Sequence, residues 1–218
     1  MVEEYIRVIT IDGPSGAGKG TISQLLATEL GYHFLDSGAL YRLTALYAEK
    51  ASISIEEDHA LAEAALNLPV EFKGGKIYLS GDDVTNAIRS ETVSQNASKV
   101  AALPVVRDAL LQRQRNFKQA PGLVADGRDM GTVVFPESVD KFFLTASAEE
   151  RASRRYKQIT ERGEEADYDR ILVDIKARDD RDMNRSTAPL KPAEDATLID
   201  TSDLSIEQVL AKVQSTLS

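Results

Sequence analysis

Apolar and polar positions along the chain follow two periods in turn. Tyr5 to Ile11 is a mostly apolar run that predicts a buried strand, whereas in Lys19 to Leu30 the residues Ile22, Leu25, Leu26 and Leu30 recur at helical spacing. Gly31 ends that helix. His33 to Leu35 predicts a second strand and Ala39 to Lys50 a second helix. Ser54 followed by Glu57 has the form of a capping box and opens a third helix toward Leu68.

The pattern then changes. Val70 to Phe72 and Lys76 to Leu79 flank the turn "KGG" and read as an antiparallel hairpin. Helices resume from Ser90 to Ala102 and from Pro104, suited to a first helical position, to Lys118. Strands follow at Leu123 to Ala125, Lys141 to Leu144 and Thr197 to Ile199. Between them lie helices from Ala148 to Arg162, stopped by Gly163, and from Tyr168 to Asn184, and Ser205 with Gln208 marks a last capping box. Strands alternating with helices predict an α/β fold, a doubly wound parallel sheet of five strands. The hairpin belongs to an inserted antiparallel lobe.

At 218 residues the chain has room for one domain, residues 1–218, carrying insertions but no second independent fold. Its 26 Lys and Arg against 35 Asp and Glu give a formal net charge of −9, which argues against a nucleic-acid or anionic membrane partner. Any anionic ligand must find a local basic pocket. The absence of cysteine removes disulfides, thiolate catalysis and cysteine-ligated zinc. The acidic start "MVEEYIRVITIDG" and the lack of a long apolar run place the chain in the cytosol, and the lack of an exposed apolar stripe suggests a monomer.

The candidate chemistry begins at "GPSGAGKGT", nine residues with four glycines between a predicted strand and a predicted helix. Gly13, Gly18 and Lys19 meet the pattern G-x-x-x-x-G-K, a P-loop in the context that supports one. Its main-chain N–H groups would cradle the phosphates of ATP along Gly13, Pro14, Ser15, Gly16, Ala17, Gly18, Lys19, Gly20 and Thr21, with Lys19 on the terminal phosphates. One position departs from the usual motif. Gly20 stands where a Ser or Thr usually follows the lysine, so the hydroxyl is Thr21, a form that resembles nucleoside monophosphate kinases such as adenylate kinases. Thr21 and Asp126 are then expected to hold Mg²⁺ through water.

Three further stretches supply polar groups. "LDSGALYR" puts Ser37 and Arg42 after the second strand, at the sheet edge where ligands bind in such folds, and "ADGRDMGT" puts Asp126, Arg128 and Asp129 after another. In "KARDDRDMNR" the residues Arg178, Asp182 and Arg185 share one helix face at i, i+4 and i+7. The two histidines, His33 in a strand and His59 in a polar helix, read as structural.

Taken in order, "GPSGAGKGT", "DSGALYR", "NASKVAALPVVR", "ADGRDMGTVVFP" and "RDDRDMNR" resemble the bacterial cytidylate kinases over nearly the whole chain. The resemblance implies a P-loop kinase with an inserted nucleoside monophosphate-binding lobe at about 52–103 and a short lid at about 150–168, within boundary errors of a few residues. It implies transfer of the γ-phosphoryl group of MgATP to CMP or dCMP in pyrimidine nucleotide metabolism. Ser98, Arg107 and Asp129 would then read cytosine, Arg42, Arg128 and Arg185 hold the acceptor phosphate, and Ser37, Arg178 and Asp182 contact the sugar region. Catalysis would rest on Lys19, Arg128, Arg185 and a lid arginine, Arg154, beside Arg151 and Arg155.

Cytosine offers an N4 donor and N3 and O2 acceptors, which suit an ionised Asp129 and Arg107, whereas uracil would present the wrong polarity to the carboxylate. Two other readings stay open. A P-loop kinase for UMP or for a non-nucleotide acceptor would keep "GPSGAGKGT", and a nucleotide-dependent switch would keep it too, although no N-K-x-D guanine motif occurs.

Overall fold

The computed structural model describes residues 5–217 of the chain. In chain order the elements are β1 (Arg7–Asp12), α1 (Lys19–Leu30), β2 (His33–Asp36), α2 (Ser37–Lys50), α3 (Asp58–Leu66), β3 (Val70–Lys73), β4 (Lys76–Leu79), β5 (Asp82–Asp83), α4 (Glu91–Val100), α5 (Pro104–Arg115), β6 (Gly122–Gly127), β7 (Asp140–Thr145), α6 (Ala148–Thr160), α7 (Tyr168–Asn184), β8 (Thr197–Asp200) and α8 (Ile206–Thr216). They group into two compact units, Met1–Leu35 with Phe117–Ser218, and Asp36–Asn116.

The first unit is built on a five-stranded sheet in the order β2-β6-β1-β7-β8. β1 pairs in parallel with both β6 and β7, and β7 with β8, with Asp12 opposite Gly127 on one side and Phe143 on the other. Ile9 and Ile11 of β1, Val124 of β6 and Phe142 and Leu144 of β7 pack with Ile22, Leu26 and Ala27 of α1 and with Val209 and Val213 of α8. Burying these residues drives the unit together, each large aliphatic or aromatic side chain contributing about 1.5–3 kcal/mol. Parallel pairing brings the segments after β1, β6 and β7 to one edge. Strand order reverses beside β1, the position where such sheets open a ligand crevice.

The second unit joins α2 to α5 with a three-stranded antiparallel sheet, β3-β4-β5. Ala39, Leu43 and Leu46 of α2 form its core with Leu68, Leu79, Val84, Ile88 and Val93.

Several elements differ from the sequence expectation for local reasons. α2 starts at Ser37, two residues early, because the Asp36 carboxylate accepts from Ala39 N at 2.9 Å and caps it. Ser54 and Glu57 form no capping box: Ser54 Oγ accepts from Glu56 N in a turn, and α3 begins after Glu57 without a side-chain cap. The box at Ser205 and Gln208 forms with both of its hydrogen bonds. The hairpin gains a third strand, β5, whose two aspartates carry no apolar signal. Finally, Met130–Val134, reading "MGTVV", winds into a single π-helical turn that periodicity did not suggest. Among the described residues no helix is long and apolar enough to cross a membrane.

Candidate active site

Gly13 to Thr21 leaves the end of β1 and enters α1 as a loop that only glycine allows at key points. Gly13 holds φ +144, and a Cβ there would overlap the carbonyl oxygen of Leu144 in β7. Gly18 (φ +87) stands at the N-cap of α1 with no side chain bonded to the helix end. The first N–H groups of α1 therefore lack the usual capping acceptor, the arrangement that binds phosphate oxygens. Lys19 is buried beneath the loop, its Nζ donating to Pro14 O at 2.9 Å and lying 3.8 Å from Asp126 Oδ1. The cradle fits a polyphosphate.

The electrostatics of Lys19 sharpen that fit. Burial, then the positive charge of Arg128, with a further push from Arg178, lowers its ammonium to about 8, against the opposing pull of Asp126 and Asp12. Three cations thus act on one place, an arrangement that favours an anionic occupant.

Asp126 lies one residue before the end of β6, half-buried beside Lys19. A Cβ on Gly20 would approach its Oδ2 to 3.3 Å, so glycine after the lysine leaves the carboxylate its space. Among the described residues no group of three or more His, Cys, Asp or Glu could hold a metal. One protein carboxylate beside a phosphate cradle nevertheless suits Mg²⁺, which keeps several waters and binds through one or two carboxylates plus substrate phosphates.

Beyond β6, the residues singled out from the sequence converge on two carboxylates. Asp182 of α7, buried, accepts from Arg128 Nε at 3.0 Å and has Arg178 Nε at 4.0 Å. Burial raises its pKa, but the charges of Arg128 and Arg178, the Arg128 hydrogen bond and Arg185 outweigh that and hold it below the ordinary carboxylate range. Arg185 caps the end of α7 with extended backbone, donates to Ala188 O at 2.7 Å and places a guanidinium nitrogen 3.9 Å from buried Asp129 Oδ1. Arg178 and Asp182 thus meet across one helical turn as their spacing suggested, and Arg185, just past the helix end, joins them with Arg128 and Asp129 in one cluster of charges.

The family model for cytidylate kinase matches residues 9–218. The chain belongs to the cytidylate kinase family. A cytidylate kinase of Shewanella piezotolerans is 60% identical over 214 residues, covering 95% of this chain and 93% of its own length. One of Aeromonas hydrophila subsp. hydrophila is 57% identical over 210 residues, covering 94% and 91%. Among solved structures, shikimate kinase from Bacteroides thetaiotaomicron aligns over 97% of this chain and 96% of its own at 15% identity and a TM-score of 0.46. As a member of the cytidylate kinase family the chain is a phosphotransferase.

Within the second unit of this cytidylate kinase family member, Arg42 pairs with Asp36 at 2.6 Å, and Ser37 is buried at the first turn of α2. Ser98 of α4 and Arg107 of α5 are buried as well. The Arg107 guanidinium donates to Ala101 O at 3.1 Å and lies 5.6 Å from the ring centre of Tyr41, a cation–π contact that fixes its plane.

The α6 arginines divide. Arg151 is buried and donates to Ala146 O, Ser15 O and both carboxylate oxygens of Asp179, at 2.5–3.1 Å, so it brackets the P-loop to α7 rather than facing solvent. Arg154 reaches Thr201 O at 2.6 Å, Thr201 Oγ1, Ser202 O and Glu150. Arg155 is half-buried on the same helix. Of the histidines, His33 is exposed and its Nε2 lies 2.9 Å from Ala120 O.

Two residues of structural weight escaped the sequence reading, Asp179 and Asp12. Asp12 closes β1, is buried, and its two oxygens accept from Met130 N and Gly131 N, each at 2.8 Å. Burial pushes its pKa up to about 7, against the pull of those two N–H groups. The one signal in the sequence was a lone carboxylate at the end of an apolar strand.

Proposed function

We propose that the reaction of this kinase, transfer of the γ-phosphoryl group of MgATP to CMP or dCMP to give ADP and CDP or dCDP, is divided among three sets of residues. Gly13 to Thr21 hold the ATP phosphates, with Lys19 on the transferring group. Arg42, Arg128 and Arg185 neutralise the acceptor phosphate. Asp129 accepts from the cytosine amino group, Ser98 and Arg107 join it in reading the base, and Ser37, Arg178 and Asp182 serve the sugar region. Mg²⁺, held through water by Asp126 and Thr21, would add charge neutralisation at the β- and γ-phosphates.

The acceptor phosphate is already anionic near neutral pH, its second pKa being about 6, so no general base is needed. Lys19 and the arginines work by position and charge. Arg154 reaches the transferring phosphate by exchanging its bonds to Thr201 and Ser202, as residues 150–168 close and exclude water. The protein acts in the cytoplasm as a monomer, without nucleic acid or membrane.

The observation that carries this reading is the placing of buried Lys19 beneath the glycine loop beside Asp126, with Arg128 and Arg178 gathered on Asp182 close by. A coupled assay of ADP production with MgATP and CMP, dCMP, UMP or AMP tests it. Turnover on CMP and dCMP well above UMP and AMP is expected. Equal efficiency on UMP would discard the base-reading roles, and turnover without any nucleotide acceptor would discard the assignment of the acceptor site.

A further inference from the structure

Asp12 belongs to neither the phosphate cradle nor the arginine cluster, yet it touches the backbone between them. Both of its oxygens are spent on Met130 N and Gly131 N, the first N–H groups of the π-helical turn that follows Asp129. The turn's own N-cap residue, Asp129, makes no side-chain cap bond, so the capping carboxylate comes from the neighbouring strand, 117 positions earlier in the chain. The turn is also seated from below: a Cβ on Gly131 would stand 2.9 Å from Thr10 Oγ1 and 3.2 Å from Lys141 Cδ, side chains of β1 and β7. Lys141 is itself fixed by Pro136 O and by both oxygens of Asp195.

Arg128 and Asp129 therefore occupy two residues of chain between fixed points. On one side Gly127 is paired with Asp12 in the β1–β6 register, and on the other Met130 and Gly131 are bonded to the Asp12 side chain. Asp129 spans them at φ −149, ψ 23, outside any regular element. We infer that Asp12 is a positioning residue for acceptor selection: its carboxylate pins the 128–131 segment and so sets where Arg128 and Asp129 present their charges. This deepens the assignment of Asp129 to cytosine and rests on it. Asp12→Asn keeps the shape but turns one acceptor into a donor facing a backbone N–H, which frees one end of the segment.

The test compares the wild type, Asp12→Asn and Asp129→Asn at pH 8, with KM for CMP and for ATP, the CMP/UMP ratio of kcat/KM, and amide hydrogen exchange at Met130 and Gly131. For Asp12→Asn the expected outcome is a 10- to 100-fold rise in KM for CMP, about the loss of a buried hydrogen bond. ATP KM should move less than threefold, CMP/UMP selection should fall, and the two amides should exchange at least tenfold faster. A purely structural defect would move both KM values together or neither, and either result overturns the inference.

If Asp129→Asn leaves CMP/UMP selection intact, the cytosine assignment itself fails. The exchange data judge the pin separately: unchanged protection in Asp12→Asn overturns it. Should Asp12→Asn fail to fold, the wild type still decides, because Met130 and Gly131 amides exchanging as fast as an unbonded loop would sink the proposal.

Discussion

The P-loop and the 126–131 segment leave adjacent strands at the same sheet edge, yet they are built on opposite plans. In the P-loop the binding groups are main-chain N–H groups, and the sequence signal is the set of glycines that lets the backbone take the shape: Gly13 against the Leu144 carbonyl, Gly18 at the uncapped start of α1. In 126–131 the groups proposed to bind are side chains, and what holds the segment is a carboxylate from β1 and an ion pair with Asp182 of α7. A site made of backbone tolerates almost no added atom. A site made of side chains fails instead by losing charge or register.

That contrast orders the expected effects. Gly13→Ala should be the most damaging change, removing activity by more than about 10³-fold or abolishing folding, since the methyl group has no space and φ +144 is strained for alanine. Expression, thermal melting and kcat/KM check it; a stable, active Gly13→Ala protein would break the comparison. Asp129→Asn should leave melting within a few degrees but cut CMP over UMP discrimination by about 5- to 150-fold, the range for a lost buried polar pair. Acceptor kinetics on the two nucleotides measure it.

Gly20→Ala is a smaller test at the seam of the two plans. Its methyl group would stand 3.3 Å from Asp126 Oδ2, so a loss of about tenfold in kcat is expected, with a raised Mg²⁺ requirement, provided the carboxylate gives way by tenths of an ångström. Titrating Mg²⁺ at fixed ATP reads it, and a variant indistinguishable from wild type would remove Asp126 from the metal role.

The last effect is a pH difference, read in stability rather than in turnover. With its pKa raised from 3.8 to about 7 by burial, Asp12 contributes stability that is full below the unfolded value and is lost as pH rises through the folded value. The stability of wild type relative to Asp12→Asn should therefore fall between pH 4 and 7, by at most about 1.4 kcal/mol per pH unit, and level off above. Paired melting curves across that range check the sign.

The same contrast explains what could be read in advance. The strand–glycine–helix unit, the five-stranded alternation and the Arg178–Asp182 pair are local patterns, and all appear in the structure, whereas Arg185 falls just past the end of α7 in extended backbone. The partners of those residues are not local. Nothing in the spacing of "ADGRDMGT" shows that Asp12 caps the turn after it, or that Arg151, taken for a lid group, spends its donors on Ser15, Ala146 and Asp179. The box at Ser54 failed for the opposite reason, since its hydroxyl is satisfied in a turn without the cap it suggests, and two-residue β5 forms with no apolar signal to announce it.

The bare amino end of α1 also makes the solution part of the enzyme. Sulfate or inorganic phosphate held there in a storage buffer would stabilise the native chain by RT ln(1 + [L]/Kd), about 2.7 kcal/mol at a hundredfold excess over Kd, while competing with ATP for the same amides. Melting temperatures and Michaelis constants measured in phosphate and in an organic buffer would then describe two differently occupied forms of one protein.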